Sequence, residues 1–129
     1  MVDLRAKPFF LTDEDVKWVE DTIASMTLEE KVGQLFVQIR RSLDPDDIRR
    51  TLDSYHQGGL RWQGGDRKQV YEQNKSYQEA SRIPLLIAAN CDNGGDGCLS
   101  DCTFVATAAE AAAGGGTQTA YDMGYVAGR

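Results

Sequence analysis

The stretch Pro84-Leu85-Leu86-Ile87-Ala88-Ala89 decides the fold. A run without charge or polar side chain at this length is too short for a buried helix and right for a strand. A strand wetted on one side alternates apolar and polar residues. This one is apolar on both faces, as a parallel strand sandwiched by helices is. Pro84 at its start also ends the helix that precedes it. Two other segments share its length. Gly33 introduces the apolar run Gln34-Leu35-Phe36-Val37-Gln38-Ile39, and Leu60-Arg61-Trp62-Gln63 is a short strand closed by Gly64-Gly65.

Helix signals fill the intervals. Thr12 is the expected N-cap of a first helix, with Asp13, Glu14 and Asp15 against the positive end of its dipole. Val16, Val19, Ile23 and Met26 then recur at three- and four-residue steps with Trp18 alongside, an amphipathic stripe. Thr27-Leu28-Glu29-Glu30 has the form of a capping box and opens a helix of a turn or two. Asp44-Pro45 starts another, with Pro45 at the first helical position and Ile48, Leu52 and Tyr55 on its buried face. It is expected to stop at His56-Gln57-Gly58-Gly59, where a glycine takes the left-handed conformation of a C-terminal cap. Asp66 caps the next helix, which carries Val70, Tyr71, Asn74, Tyr77 and Ala80. After a loop from Asn90 to Cys102, Thr103 to Ala113 reads as an alanine-rich helix. Gly114-Gly115-Gly116 breaks it, and Thr117 to Arg129 is helical again. Trp18, Trp62, Phe36 and the tyrosines are expected in the core.

Strands alternating with helices in this way mean βαβ units and a parallel sheet. Three such strands leave both sheet edges open, and an apolar strand at an open edge invites association. An α/β domain usually has five or more strands and a closed barrel eight. The pattern is therefore expected to be the front part of a larger architecture.

The chain has 129 residues, 41% hydrophobic and 26% charged, room for one domain and too apolar for a disordered coil. No stretch approaches the length of a membrane span. Met1-Val2-Asp3-Leu4-Arg5-Ala6-Lys7 has no apolar segment behind it, so a secretory signal is not expected and a cytoplasmic location is. Twenty acids against 14 bases give a net charge of −6, which argues against nucleic acid as partner. Arg40-Arg41 and Arg49-Arg50 alternate with Asp44, Asp46, Asp47 and Asp53, the pattern of a solvated helical face. The three cysteines Cys91, Cys98 and Cys102 are odd in number and lack knuckle spacing, so they read as free thiols rather than disulfides or metal ligands. No cofactor and no metal are expected.

Asn90-Cys91-Asp92-Asn93-Gly94-Gly95-Asp96-Gly97 follows the strongest strand at its C-terminal end, where parallel α/β folds bind ligands. As a calcium loop it fails, because Gly94 holds the third ligand position and Thr103 the twelfth. As a dinucleotide fingerprint it lacks the third glycine. As a sugar-binding loop it is well equipped, since Asn and Asp offer paired donors and acceptors to vicinal hydroxyls. A glycine-rich turn in which backbone approaches backbone is the other open reading. Gly114-Gly115-Gly116-Thr117 follows a helix and has no Gly-Lys-Ser/Thr, so it reads as a helix–helix turn rather than a phosphate cradle. His56 reads as a helix-terminal residue, and no Ser or Cys has a histidine and acid set for a hydrolytic triad.

Three blocks resemble glycoside hydrolase family 3. Ser25-Met26-Thr27-Leu28-Glu29-Glu30-Lys31-Val32-Gly33-Gln34-Leu35-Phe36 is similar to the segment that leads into that family's barrel. Tyr55-His56-Gln57-Gly58-Gly59-Leu60 resembles the approach to its second strand. Ile83-Pro84-Leu85-Leu86-Ile87-Ala88-Ala89-Asn90 with Gly94-Gly95 resembles its third strand and following loop. Ala-rich Thr103 to Ala113 and Tyr121-Asp122-Met123-Gly124 match the helices beyond. The resemblance covers about residues 20 to 129.

It implies the first part, about three strands, of a (β/α)8 barrel, with the chain ending after the third strand and its helices. It also implies retaining cleavage of terminal β-linked sugars, with β-N-acetylglucosaminides as the expected substrates. Asn90 stands where the family usually has an aspartate, keeping hydrogen bonding and dropping the charge. The family's arginine beyond the Gly-Gly pair has no counterpart between Asp92 and Thr103. The family's aspartate nucleophile and its acid/base residue belong to later strands and loops, so no catalytic residue is assigned. Asn90, Asp92 and Asn93 are the expected sugar contacts. The expected partners are a carbohydrate and, through the open edges, a second copy or the remainder of the barrel. The alternative is a non-catalytic α/β module that associates through those edges.

Overall fold

The structure, a computed structural model, describes residues 2–40, 42–62, 64–91 and 99–128. Along them run α1 (Asp13–Ser25), α2 (Leu28–Gly33), β1 (Val37–Ile39), α3 (Pro45–Tyr55), β2 (Gly59–Arg61), α4 (Arg67–Ala80), β3 (Leu86–Ala88), α5 (Ala108–Ala113) and α6 (Thr117–Ala127). The strands form one parallel sheet in the order β1-β2-β3. Gly59 stands between Val37 and Leu86, Leu60 between Gln38 and Ile87, and Arg61 between Ile39 and Ala88. The expected α/β architecture of parallel βα units is the observed one.

The helix starts are chemically specified. Thr12, Thr27 and Asp66 each close a capping box with Asp15, Glu30 and Gln69, and Asp44 caps α3 ahead of Pro45. Each box satisfies backbone donors that an isolated first turn leaves open, and loss of one cap costs about 1 kcal/mol.

Leu60 is fully buried at 0% exposure and packs with Ile48, Tyr77 and Leu85 in the main core cluster. These side chains come from α3, α4 and the segments around β2 and β3, so the core lies between the sheet and its α3–α4 layer. Because strand side chains alternate faces, Leu60 assigns one side of the sheet to the helices. Gly59 and Arg61, with their ladder partners Val37, Ile39, Leu86 and Ala88, take the other.

Several expectations need correcting. The strands are three residues each, shorter than the expected runs; ahead of β1 the N–H groups of Gln34, Leu35 and Phe36 donate to the Glu30, Val32 and Gly33 carbonyls and close the end of α2 instead. The alanine-rich helix starts at Ala108 rather than Thr103. Thr107 and Glu110 form its capping box, and composition alone does not mark that point. The left-handed residue at the end of α3 is His56, at φ 48° and ψ 34°, and not a glycine. Gly58 is needed for a different reason: a Cβ there would lie 2.0 Å from the Gln34 carbonyl oxygen.

The aromatic residues also divide. Trp62 and Tyr77 are buried, while Trp18, Phe36, Tyr55, Tyr71, Tyr121 and Tyr125 are exposed. Leu86 is 75% exposed. Its side of the sheet has no helix layer among the described residues, which leaves that face of β1 and β3 uncovered.

Candidate functional site

The two ends of the sheet differ in kind. At the N-terminal end, Gln34 Nε2 donates to the His56 carbonyl at 2.8 Å and Arg82 pairs with Glu30 at 2.9 Å. Gln78 grips the start of β3 from both sides, donating to the Leu85 carbonyl at 2.8 Å and accepting from its N–H at 2.9 Å. A cavity of about 200 Å³ lies here, bounded by Glu30, Gln34, Asp53, His56, Arg82 and Leu85 among others. Ligands of parallel α/β folds bind at the opposite end, so these contacts read as structural.

At the C-terminal end three loops converge. The loop after β1 is tied to α4, because the Ser42 N–H donates to Gln73 Oε1 at 2.7 Å and Gln73 is fully buried. The loop after β2 is tied to the one after β3, since the Ser100 N–H donates to the Gly65 carbonyl at 2.7 Å. Arg67, the first residue of α4, grips Asp101 three times: its N–H meets Oδ1 at 2.9 Å, its Nε meets Oδ2 at 2.8 Å, and its guanidinium meets the Asp101 carbonyl at 2.7 Å. The Arg67 backbone N–H, followed by its side chain, holds the Asp101 carboxyl below its ordinary value. The far end of the β3 loop is thereby pinned to the rim of the sheet.

Asn90 is half-buried and lies two residues past Ala88, at that same end. Asp92 and Asn93, the other expected sugar contacts, lie outside the described residues. So does Cys98; Cys91 and Cys102 are exposed free thiols. Among the described residues no three His, Cys, Asp or Glu side chains are grouped as metal ligands would be.

Two features escaped the sequence reading. The Arg67–Asp101 clamp spans 34 residues, and only the structure shows that the two meet. Arg61 is the second. It is half-buried, and its enclosed Nε has no hydrogen-bond partner among the described residues. A lone basic residue inside a three-residue strand was the signal available.

No family model matches the chain. A beta-N-acetylglucosaminidase/beta-glucosidase of Cellulomonas fimi is 33% identical over 129 residues, which make up 100% of this chain and 23% of that protein. The beta-glucoside phosphorylase BglX superposes with a TM-score of 0.77 at 33% identity, over 96% of this chain and 22% of its own. These relatives bear out the resemblance read from the sequence. The same phosphorylase bound to 2FGlc superposes with a TM-score of 0.78 at 33% identity, over 96% of this chain and 23% of that one. The sheet and helices accordingly match a segment of those proteins. The chain spans under a quarter of the length of these relatives, 22% to 23%. Among the described residues no helix is long and apolar enough to cross a membrane.

Proposed function

We propose that this chain supplies the first three strand–helix steps of a family 3 barrel that processes terminal β-linked sugars, with β-N-acetylglucosaminides as the preferred class. Residues 1–129 are the opening portion of that barrel domain, and Asn90, Asp92 and Asn93 contact the sugar. The observation that carries this is the position of Asn90, just past β3 at the sheet's C-terminal end, within a chain aligned along its whole length with a β-glycosidase. A side-chain amide there offers both a donor and an acceptor to a pair of hydroxyls.

Retaining hydrolysis needs a nucleophile and an acid about 5 Å apart across the anomeric carbon. This chain is assigned neither, so it binds without turning over. Incubation with nitrophenyl β-N-acetylglucosaminide and β-glucoside, with and without phosphate, is expected to release no nitrophenol. Release by the 129-residue chain would overturn its catalytic incompleteness. Titration with N-acetylglucosamine, read by tryptophan fluorescence or calorimetry, is expected to saturate. A flat titration would overturn the sugar site. Fractionation of the source cells is expected to recover the protein from the cytoplasm; recovery from the medium would refute that location.

One observation favours a second reading, an associating module without catalysis. The exposed Val37 and Ile39 on β1, with Leu86 and Ile87 on β3, are apolar side chains on strands at open sheet edges. Light scattering separates the two: a 14.2 kDa monomer with a single cooperative melt would exclude self-association.

A further inference from the structure

We propose that Arg61 is a further sugar-binding residue, donating from its guanidinium to ligand oxygens at the same end of the sheet as Asn90. The inference rests on the reading of Asn90 given above. Alternation starts from Leu60, which is fully buried against the helices, so Arg61 takes the opposite face. Its ladder partner on β3 is Ala88, the last residue of that strand, and Asn90 is two residues further along. Two residues advance a strand by about 7 Å, a gap that a side chain as long as arginine's covers.

The rest of that face explains why a cation there is informative. Val37, Ile39, Leu86 and Ala88 are apolar, and the remaining ladder position is Gly59. Gly59 has no room for a side chain, because a Cβ would lie 2.8 Å from Val37 Cγ2 and 2.9 Å from the Leu86 carbonyl oxygen. Arg61 therefore stands as the one charged residue of the paired strands, at the end of β2 nearest the Asn90 loop.

Its Nε has lost water without gaining a partner among the described residues, a cost that structural arginines usually avoid through an ion pair. Its carbonyl accepts from the Arg40 N–H at 3.3 Å and its ladder partners are Ile39 and Ala88, so the strand fixes where the side chain starts. A neutral polyhydroxy ligand suits this donor better than an anion does. The chain carries a net charge of −6, and Asp66 and Asp101 stand on the same rim.

The test follows the Arg Nε–H signals of the ¹⁵N-labelled 129-residue chain during titration with N-acetylglucosamine and, separately, with inorganic phosphate. The Arg61 signal, assigned by its loss in Arg61→Lys, is expected to shift with the sugar and saturate with the same midpoint as the Asn90 amide. Arg61→Met is expected to weaken sugar binding about tenfold, the usual cost of losing charge-assisted hydrogen bonds. Full affinity in Arg61→Met together with loss of binding in Asn90→Ala would overturn the role of Arg61 and leave the Asn90 site standing. No response of the wild-type chain at saturating sugar would overturn both. An Arg61 shift with phosphate and none with sugar would overturn the choice of a neutral ligand. Should Arg61→Met fail to fold, the wild-type Nε–H titration decides alone.

Discussion

Replacing Gly58 by alanine tests the contact that sets β2 against the segment leading into β1. The added Cβ would lie 2.0 Å from the Gln34 carbonyl oxygen, 2.8 Å from its carbon and 3.0 Å from its Cα. Ordinary contact begins near 3.4 Å, so the two backbones must separate by 3.4 − 2.0 = 1.4 Å. Gly58 is also hydrogen-bonded on both sides. Its N–H is shared between the Gly33 and Phe36 carbonyls at 3.3 and 3.1 Å, and its carbonyl accepts from the Leu86 N–H at 2.9 Å. Overpacking costs about 1–3 kcal/mol, and each strained or lost hydrogen bond about 1 kcal/mol more. Together these give about 3–5 kcal/mol, a large part of the roughly 5–15 kcal/mol that a domain commands. Urea unfolding followed by tryptophan fluorescence measures the loss, with buried Trp62 as reporter. Gly124→Ala is the control. Nothing lies within 4 Å of its added Cβ and it sits inside α6, so a gain of about 0.5–1 kcal/mol is expected there. A Gly58→Ala loss below about 1 kcal/mol would refute the close-approach reasoning, since overpacking alone costs that much.

The clamp at the rim makes a different kind of prediction. Asp101→Ala leaves the melting temperature nearly unchanged, because the pair is exposed, while amide exchange at Ser100 accelerates; unchanged exchange would mean that the clamp does not hold the loop. Gln73→Ala removes the acceptor of the Ser42 N–H at a buried position, with an expected loss of about 2 kcal/mol and faster exchange at Ser42. Acid stability follows from Asp15, Glu30, Asp47, Asp101 and Glu110, all held below their ordinary values chiefly by hydrogen bonds from Thr12, Thr27, Arg50, Arg67 and Thr107 respectively. Their folded values are depressed, so their contribution is complete above the ordinary 3.8 of Asp and 4.5 of Glu and fades as pH falls through the lower folded values. Urea midpoints are therefore expected to be flat above about pH 5 and to drop below about pH 4. A midpoint that rises on acidification would contradict the sign.

Local chemistry was legible in the sequence wherever it is self-contained. Thr12, Thr27, Asp44 and Asp66 announce their helices because a cap and its partner lie within three residues. The parallel sheet was legible from apolar runs alternating with helices. What each apolar residue touches was not. Phe36 and Leu86 have the composition of core residues, yet burial depends on a facing layer that no local pattern specifies. His56 shows the same limit. A run with two glycines suggests a glycine cap, but close approach to Gln34 claims Gly58 and leaves the left-handed turn to a histidine. In the site, Asn90 was legible because it follows the strongest strand. Arg61 was not, because a single arginine reads as surface until the register shows which face it occupies.

The strand order β1-β2-β3 follows the chain itself, and each strand pairs only with the one made just before or just after it. Among the helices the strongest packing is likewise between neighbours, α3 against α4 and α5 against α6. Such a layout keeps the loops closed on folding short, and short closures are fast and cost little entropy. During synthesis, each strand–helix step then finds its template already in place on the growing chain.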